Sequence, residues 1–289
     1  MQSPAARLRA HLETTGLTVM PCCFDGLSAK MIGDAGFPVT FMSGFAVSAA
    51  RLGMPDTGLI SYGEMVDQGR NVCAATSALV IGDGDTGYGN ALNIKRTVQG
   101  YARAGFAAVM IEDQVAPKRC GHTKGKLVLD RVHAVDHIKA AVDAREEGED
   151  ILILARTDAR HGHGLGEAIA RAQAFREAGA DILFVEAPQS REEMETVCRE
   201  VPGWHMANMV EGGITPILPP AELQEIGYHL AAYPLTILSA AMKAMRDAME
   251  AMKAGRHPQE MLLDFAELRR RVGFDAYYEE EQRYADRRD

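Results

Sequence analysis

The sequence predicts an α/β fold, a (β/α)8 TIM barrel formed as one domain over residues 1–289, with additional helices at about 256–289. Three observations predict it. The same local text recurs four times, as Gly33-Asp-Ala-Gly-Phe37, Ala102-Arg-Ala-Gly-Phe106, Glu177-Ala-Gly-Ala180 and Glu225-Ile-Gly-Tyr228, each time before a short apolar run. That pattern is a helix ended by a left-handed glycine and followed at once by a buried strand. Eight such apolar runs alternate with helical patterns, and no linker or composition break divides them, which favours a closed barrel over an open sheet.

The candidate strands lie at 18–21, 39–42, 78–82, 107–111, 151–155, 182–185, 204–207 and 228–231. Several are nearly continuous apolar text, such as Ile151-Leu-Ile-Leu-Ala155, as parallel strands covered on both faces require. Helical patterns intervene at 93–103, 130–147, 166–178 and 192–200, and continue after the last strand at 235–255, 258–271 and 275–287. Met242, Met245, Met249 and Met252 fall at helical spacing and read as the core-facing side of one helix, with a subunit interface as the alternative.

Composition narrows the function. With 47% hydrophobic residues the chain can bury a large core, and 31 Lys+Arg against 40 Asp+Glu give a net charge of -9, which argues against nucleic acid as a partner. The N-terminal text MQSPAARLRAHLETT carries no secretory signal, and no run of about 18 apolar residues is present for a membrane span. Five cysteines, at 22, 23, 73, 120 and 198, are odd in number, dispersed and without C-x-x-C spacing. The expectation is a cytoplasmic protein with reduced thiols.

In a barrel of this kind, functional groups project from the C-terminal ends of the strands. The first polar residues after each run are Ser43-Gly44-Phe45, Asp83-Gly-Asp85, Glu112-Asp113, Arg156-Thr-Asp158, Glu186 and Asn208. A lone carboxylate there is an ordinary helix cap; six acids, an Arg and an Asn on one rim point to an active site. The segment Gly82-Asp-Gly-Asp-Thr-Gly87 matches G-x-G-x-x-G, but two Asp would repel a pyrophosphate and no acid follows about 20 residues on to hold a ribose. An EF-hand fails as well, with Gly87 and Ile94 at ligand positions. What remains is an Asp-x-Asp pair aimed at one point, which calls for a cation between the carboxylates, and hard oxygen ligands with open positions suit Mg²⁺.

Lys118-Arg-Cys-Gly-His122 lies in the longest strandless connection of the barrel, about 113–129, long enough for a lid. Cys120 is flanked by three basic side chains, and a thiol on a closing loop can protonate a carbanion shielded from water. The other cysteines read as packing residues. His161-Gly-His163 sits in a Gly-rich turn and reads as an exposed loop, and the sixth strand ends in Glu186 where a Schiff-base enzyme would want lysine.

Val80-Ile-Gly-Asp-Gly-Asp-Thr-Gly-Tyr-Gly-Asn90, Ile111-Glu-Asp-Gln114, Lys118-Arg-Cys-Gly-His122, Ala155-Arg-Thr-Asp-Ala159 and Ala207-Asn-Met-Val-Glu-Gly-Gly213 together resemble the isocitrate lyase / phosphoenolpyruvate mutase superfamily. The likeness runs over about 19–254, and the cysteine loop points to the methylisocitrate lyase-like branch. It implies a barrel whose terminal helix swaps between subunits, a homotetramer built as a dimer of dimers, a small carboxylic acid substrate, and Mg²⁺, with Mn²⁺ as a substitute, held largely through water. Asp83 and Asp85 would serve the metal, with Asp56 and Glu112 in its outer shell. Ser43, Gly44, Phe45 and Gly121 would hold substrate, Arg156 would neutralise its charge, and Glu186 and Asn208 would complete the site. Cys120 would be the general acid, supported by Lys118 and His122, while Glu112, Asp56 and lid groups remain candidates for the base.

The implied reaction is carbon–carbon cleavage of a 2-hydroxy-2-alkyl di- or tricarboxylic acid, of 2,3-dimethylmalate or 2-methylisocitrate type, to pyruvate and a carboxylic acid. Phe41 stands where that branch usually has Tyr, no arginine follows Tyr233-Pro-Leu, and a further arginine is replaced near Phe265. An unpaired third carboxylate in a closed site costs roughly several kcal/mol, so the smaller dicarboxylate is favoured. The alternatives are carboxyphosphonoenolpyruvate mutase-type phosphorus–carbon chemistry and an oxaloacetate hydrolase or decarboxylase; a non-catalytic binding barrel is disfavoured by the intact Asp pair and Cys120.

Overall fold

A computed structural model describes residues 2–119 and 125–285 and divides into two compact units, 1–237 and 238–289. The first unit opens with α1 (Pro4–Thr14), then runs β1 (Thr18–Cys23), α2 (Gly26–Asp34), β2 (Val39–Met42), α3 (Gly44–Val47), a π-helical turn Ser48–Leu52, α4 (Tyr62–Ala75), β3 (Leu79–Asp83), α5 (Ala91–Ala104), β4 (Ala108–Glu112) and α6 (Arg131–Glu146). It continues with β5 (Leu152–Thr157), α7 (Ala159–His163), α8 (Leu165–Glu177), β6 (Ile182–Val185), α9 (Arg191–Glu200), β7 (Trp204–Asn208), α10 (Pro220–Ile226) and β8 (Leu230–Tyr233). All pairings are parallel and the order β1 through β8 closes on itself, β1 bonding β8 in the register Thr18 to Leu230. This is the eight-stranded barrel the sequence predicts.

The four repeated texts end α2, α5, α8 and α10. Their glycines, Gly36, Gly105, Gly179 and Gly227, have φ of 84°, 100°, 105° and 111°, the left-handed region that a side chain disfavours. Period-2 alternation then fixes what faces inward. Met20 and Cys22, Val39 and Phe41, Leu79 and Ile81, Ala108 and Met110, Leu152 and Leu154, Ile182 and Phe184, Met206, and Leu230 and Ala232 form one buried cluster, to which Ala5, Leu8 and Leu12 of α1 also belong. The barrel is a packed core and not a pore.

Six strand ends extend beyond the expected bounds, β1 and β8 by two residues each, to Cys23 and Tyr233, and β3, β4, β5 and β7 through Asp83, Glu112, Thr157 and Asn208. For the last four the reason is mechanical: a polar residue that faces the barrel mouth need not leave the ladder. β8 begins two residues late because the Tyr228 amide still bonds Leu223 O, closing α10. The His161/His163 segment is exposed as expected but folds as the one-turn α7.

The second unit contains most of α11 (Thr236–Lys253), with α12 (Phe265–Val272) and α13 (Phe274–Ala285). The core-facing reading of the methionine stripe is corrected here: Met242, Met245, Met249 and Met252 are 56–65% exposed. Helical spacing defines a face but not what covers it. No described helix is long and apolar enough to cross a membrane.

Candidate active site

One step of alternation above the apolar layer, the inward positions become polar. Phe41 is followed by Ser43, Ile81 by Asp83, Met110 by Glu112, Leu154 by Arg156, Phe184 by Glu186 and Met206 by Asn208. These residues line one cavity of about 60 Å³, floored by Phe41, Met110, Phe184, Met206 and Ala232, with Phe45, Asp56, Lys118 and Arg119 also at its wall.

The first half of the rim is built on Asp83. Its Oδ2 accepts the Gly44 amide and its Oδ1 the Asp85 amide, each at 3.0 Å. Gly44 is a space requirement: a Cβ there would stand 2.5 Å from Asp83 Oδ2. Ser43 caps α3, its hydroxyl accepting the Ala46 amide at 3.3 Å. Asp85 adopts φ 50°, which turns its carboxylate toward Lys118, and the Asp85 carbonyl accepts the Glu112 amide at 2.9 Å. Lys118 Nζ lies 2.7 Å from Oδ1 of both Asp85 and Asp56 and donates to Asp56 Oδ2 at 2.8 Å. Burial pushes the Asp85 carboxyl up to about 7 against the pull of Lys118. Burial also weakens the Lys118 ammonium, but Asp85, Asp83, Asp56 and Glu112 outweigh it and hold its pKa well above the usual value.

The second half is built on Arg156. Its Nε and Nη2 form a fork on Asp158, at 2.8 and 3.0 Å, Nη2 lies 3.1 Å from Glu186 Oε2, and Nε lies 3.3 Å from Glu112 Oε2. The guanidinium also stands 5.3 Å from the centre of the Phe184 ring. Asn208 Nδ2 donates to Glu186 Oε2 at 3.2 Å, and the Ala187 amide donates to Glu186 Oε1 at 3.0 Å. Burial holds the Glu112 carboxyl well above the usual carboxylate range, against the pull of Arg156.

The donor set fits a hard divalent cation. Glu112 Oε1 is buried without a hydrogen bond, and Asp56 Oδ1 and Asp85 Oδ1 have only the Lys118 ammonium, 2.7 Å from each, so a single ammonium answers the clustered carboxyls of Asp56, Asp85 and Glu112, an arrangement that favours a further cation. Among the described residues no group of three His, Cys, Asp or Glu side chains is arranged to hold an ion by itself. A Mg²⁺ bound by few carboxylates, with water filling the other positions, has that character.

Asp56, Asp83, Asp85, Glu112, Lys118, Arg156, Glu186, Asn208 and the Ser43–Phe45 turn are thus brought to one mouth. Cys120, Gly121 and His122 lie outside the described residues. Sequence reasoning placed Asp158 on the rim without giving it a role, and did not name Lys126, whose Nζ donates to Asp158 Oδ1 at 2.8 Å. Asp158 had a signal, two residues beyond inward-facing Arg156. Lys126 had none, because loop positions carry no periodicity.

The model of the family described as phosphoenolpyruvate phosphomutase matches residues 8–253. A 2,3-dimethylmalate lyase from Eubacterium barkeri is 43% identical over 97% of this chain and 98% of its own. The chloroplastic carboxyvinyl-carboxyphosphonate phosphorylmutase of Arabidopsis thaliana is 40% identical over 99% and 87%, and a 2-methylisocitrate lyase of Aeropyrum pernix 40% over 91% and 84%. A crystal structure of 2,3-dimethylmalate lyase superposes with a TM-score of 0.94 at 38% identity, covering 99% of this chain and 96% of that one. A phosphonopyruvate hydrolase solved with oxalate and Mg²⁺ gives 0.86 at 27% identity, covering 98% and 99%. The chain belongs to the phosphoenolpyruvate phosphomutase family, within the PEP mutase/isocitrate lyase superfamily.

Proposed function

We propose that the protein is a Mg²⁺-dependent carbon–carbon lyase that cleaves a 2-hydroxy-2-alkyl dicarboxylate of 2,3-dimethylmalate type to pyruvate and propionate. The observation that carries the reading is the cavity itself. An apolar floor of Phe41, Met110, Phe184, Met206 and Ala232 lies beneath a charged rim whose cations are Lys118, Arg119 and Arg156. That combination suits a dianion bearing alkyl groups better than a tricarboxylate. The likeness to 2,3-dimethylmalate lyase over nearly the whole of both chains supports the same substrate class.

In this reading Ser43 and Phe45 hold the pyruvyl end, Arg156 meets substrate carboxylate, and Glu186 with Asn208 fixes the guanidinium and the carbonyl that forms. Asp83 and Asp85, with Asp56 and Glu112 behind them, would hold the Mg²⁺, which when bound would supply electrostatic stabilisation of negative charge on the substrate oxygens. A base, for which Glu112, Asp56 and groups of the lid are the candidates, takes the hydroxyl proton as the C2–C3 bond breaks, C3 keeps the electron pair, and the Cys120 thiol protonates C3 to release propionate. Lys118 and His122 stabilise the thiolate left behind.

The test is pyruvate release, coupled to lactate dehydrogenase, from 2,3-dimethylmalate and 2-methylisocitrate in parallel, with Mg²⁺ or with EDTA. Metal-dependent turnover of the dimethylmalate is expected. Preference for 2-methylisocitrate would overturn the substrate assignment, and no pyruvate from either would move the reading to phosphonates or oxaloacetate. The proposal extends to assembly in the cytoplasm as a homotetramer of helix-swapped dimers, in which the exposed α11 methionines meet another copy; light scattering at the mass of one chain would refute it.

A further inference from the structure

Arg156 has an accounting problem. Its guanidinium carries one charge, yet it contacts Asp158 and Glu186 directly, and Asp158 alone engages it through both oxygens. An arginine so answered has little field left for a substrate anion. Lys126 resolves this. Its side chain is 1% exposed, it is absent from the cavity lining, and its Nζ donates to the same Asp158 oxygen that Arg156 Nη2 uses.

Resting on the function proposed above, we propose that Lys126 sets the charge of the site from outside it, by offsetting Asp158 so that the Arg156 guanidinium stays available to a dianionic substrate. Lys126 is a positioning residue in the electrostatic sense and touches no reacting atom. Removing it leaves the local count one charge more negative.

Asp158 does not depend on Lys126 for its place. Its amide donates to Asp113 Oδ1 at 2.9 Å, and Asp113 Oδ2 accepts from Thr157 Oγ1 at 2.7 Å and Arg171 Nη1 at 2.9 Å. The aspartate therefore stays against Arg156 when the lysine is lost, and the charge remains uncompensated in the low-dielectric interior.

The test uses the full chain with Mg²⁺ and the variants Lys126→Met, Lys126→Arg, Asp158→Asn and the double Lys126→Met/Asp158→Asn. Calorimetric titration with oxalate, a dianion, and pyruvate, a monoanion, is read beside steady-state kinetics on 2,3-dimethylmalate. Lys126→Met is expected to weaken oxalate about tenfold or more and pyruvate distinctly less, and to raise KM with little change in kcat. Lys126→Arg keeps wild-type affinity, and the double variant recovers oxalate binding to within about threefold, because it restores the charge count. Should Lys126→Met not fold, Asp158→Asn alone decides the matter, since it must tighten oxalate binding. Unchanged oxalate affinity in Lys126→Met, equal weakening of both probes, or a double variant no better than the single would overturn the inference. Binding does not require turnover, so a wild-type protein inactive on 2,3-dimethylmalate would refute the function proposed and leave the charge inference to the titrations.

Discussion

A single methyl group at Gly44 tests the architecture of the rim. The Gly44 amide donates to Asp83 Oδ2 at 3.0 Å, and a Cβ at this position would stand 2.5 Å from that oxygen and 3.1 Å from Asp83 Cγ. Gly44 does not occupy the left-handed region, so alanine suffers no backbone strain, and in a helix the exchange alone stabilises by about 0.5–1 kcal/mol. The contact reverses the sign. Reaching an ordinary separation of 3.4 Å requires a shift of about 0.9 Å. Asp83 is tied at both oxygens by backbone amides, so the shift breaks a hydrogen bond to a charged acceptor, worth about 1.5–3 kcal/mol. Net of the helix gain, Gly44→Ala loses about 0.5–2.5 kcal/mol, which lowers Tm by about 1–10 °C in a chain of this size. Displacing a group of the reacting site by about 1 Å lowers kcat/KM by about a hundredfold.

Melting curves and pyruvate-release kinetics on Gly44→Ala measure both. Gly26→Ala is the matched control: it also opens a helix, and its Cβ would meet only ordinary contacts, the nearest at 3.6 Å, so it melts at or above the wild-type temperature. A Gly44→Ala protein as stable as that control, with kcat/KM within roughly threefold of wild type, would refute the claim that Asp83 cannot yield.

Three further outcomes follow from the same framework. The general-acid role proposed for Cys120 predicts that Cys120→Ser lowers kcat by about 10²–10⁴ with Tm unchanged, and single-turnover pyruvate release measures it. Arg171→Met strands the buried Asp113 carboxylate and costs about 3–5 kcal/mol, read from the urea midpoint. His205 is buried with Nε2 2.7 Å from Val201 O, and burial lowers its pKa below 6.5. The unfolded chain then takes up a proton first as the pH falls, so its contribution is whole above pH 6.5 and is lost below it; replacing His205 with Gln flattens stability measured from pH 7 down to about pH 5.

Much of the fold was legible because buried parallel strands write themselves as apolar runs and left-handed glycines punctuate them. The ring of inward polar residues was legible for a related reason. Ile81 and Asp83, Met110 and Glu112, and Phe184 and Glu186 share a parity, so an acid two places beyond a core residue must face the mouth. The signal for α1 was present but unused: Ser3 and Pro4 open it, and Ala5, Leu8 and Leu12 share one face beneath the barrel. The α11 methionines could not be settled, since an amphipathic face has the same spacing whether the core or another molecule covers it.

Lys118 and Arg156 were legible as residues of the site, but the ion pairs that join its acids to its cations were not. The site's acids, Asp83, Glu112 and Glu186, are placed by strands, whose periodicity dictates direction. Two of the cations that answer them, Lys118 and Lys126, come from the connection between β4 and α6, where no period operates, and their partners Asp56, Asp85 and Asp158 lie 32 or more residues away along the chain. Lys118 faces the carboxylates suited to a metal, and Lys126 faces the carboxylate that holds Arg156. A mouth lined with acids is costly to bury unless cations arrive from elsewhere, and here one connection brings both, on either side of the segment that carries Cys120. Substitutions in that connection should therefore alter metal affinity and anion affinity separately, according to which lysine they touch.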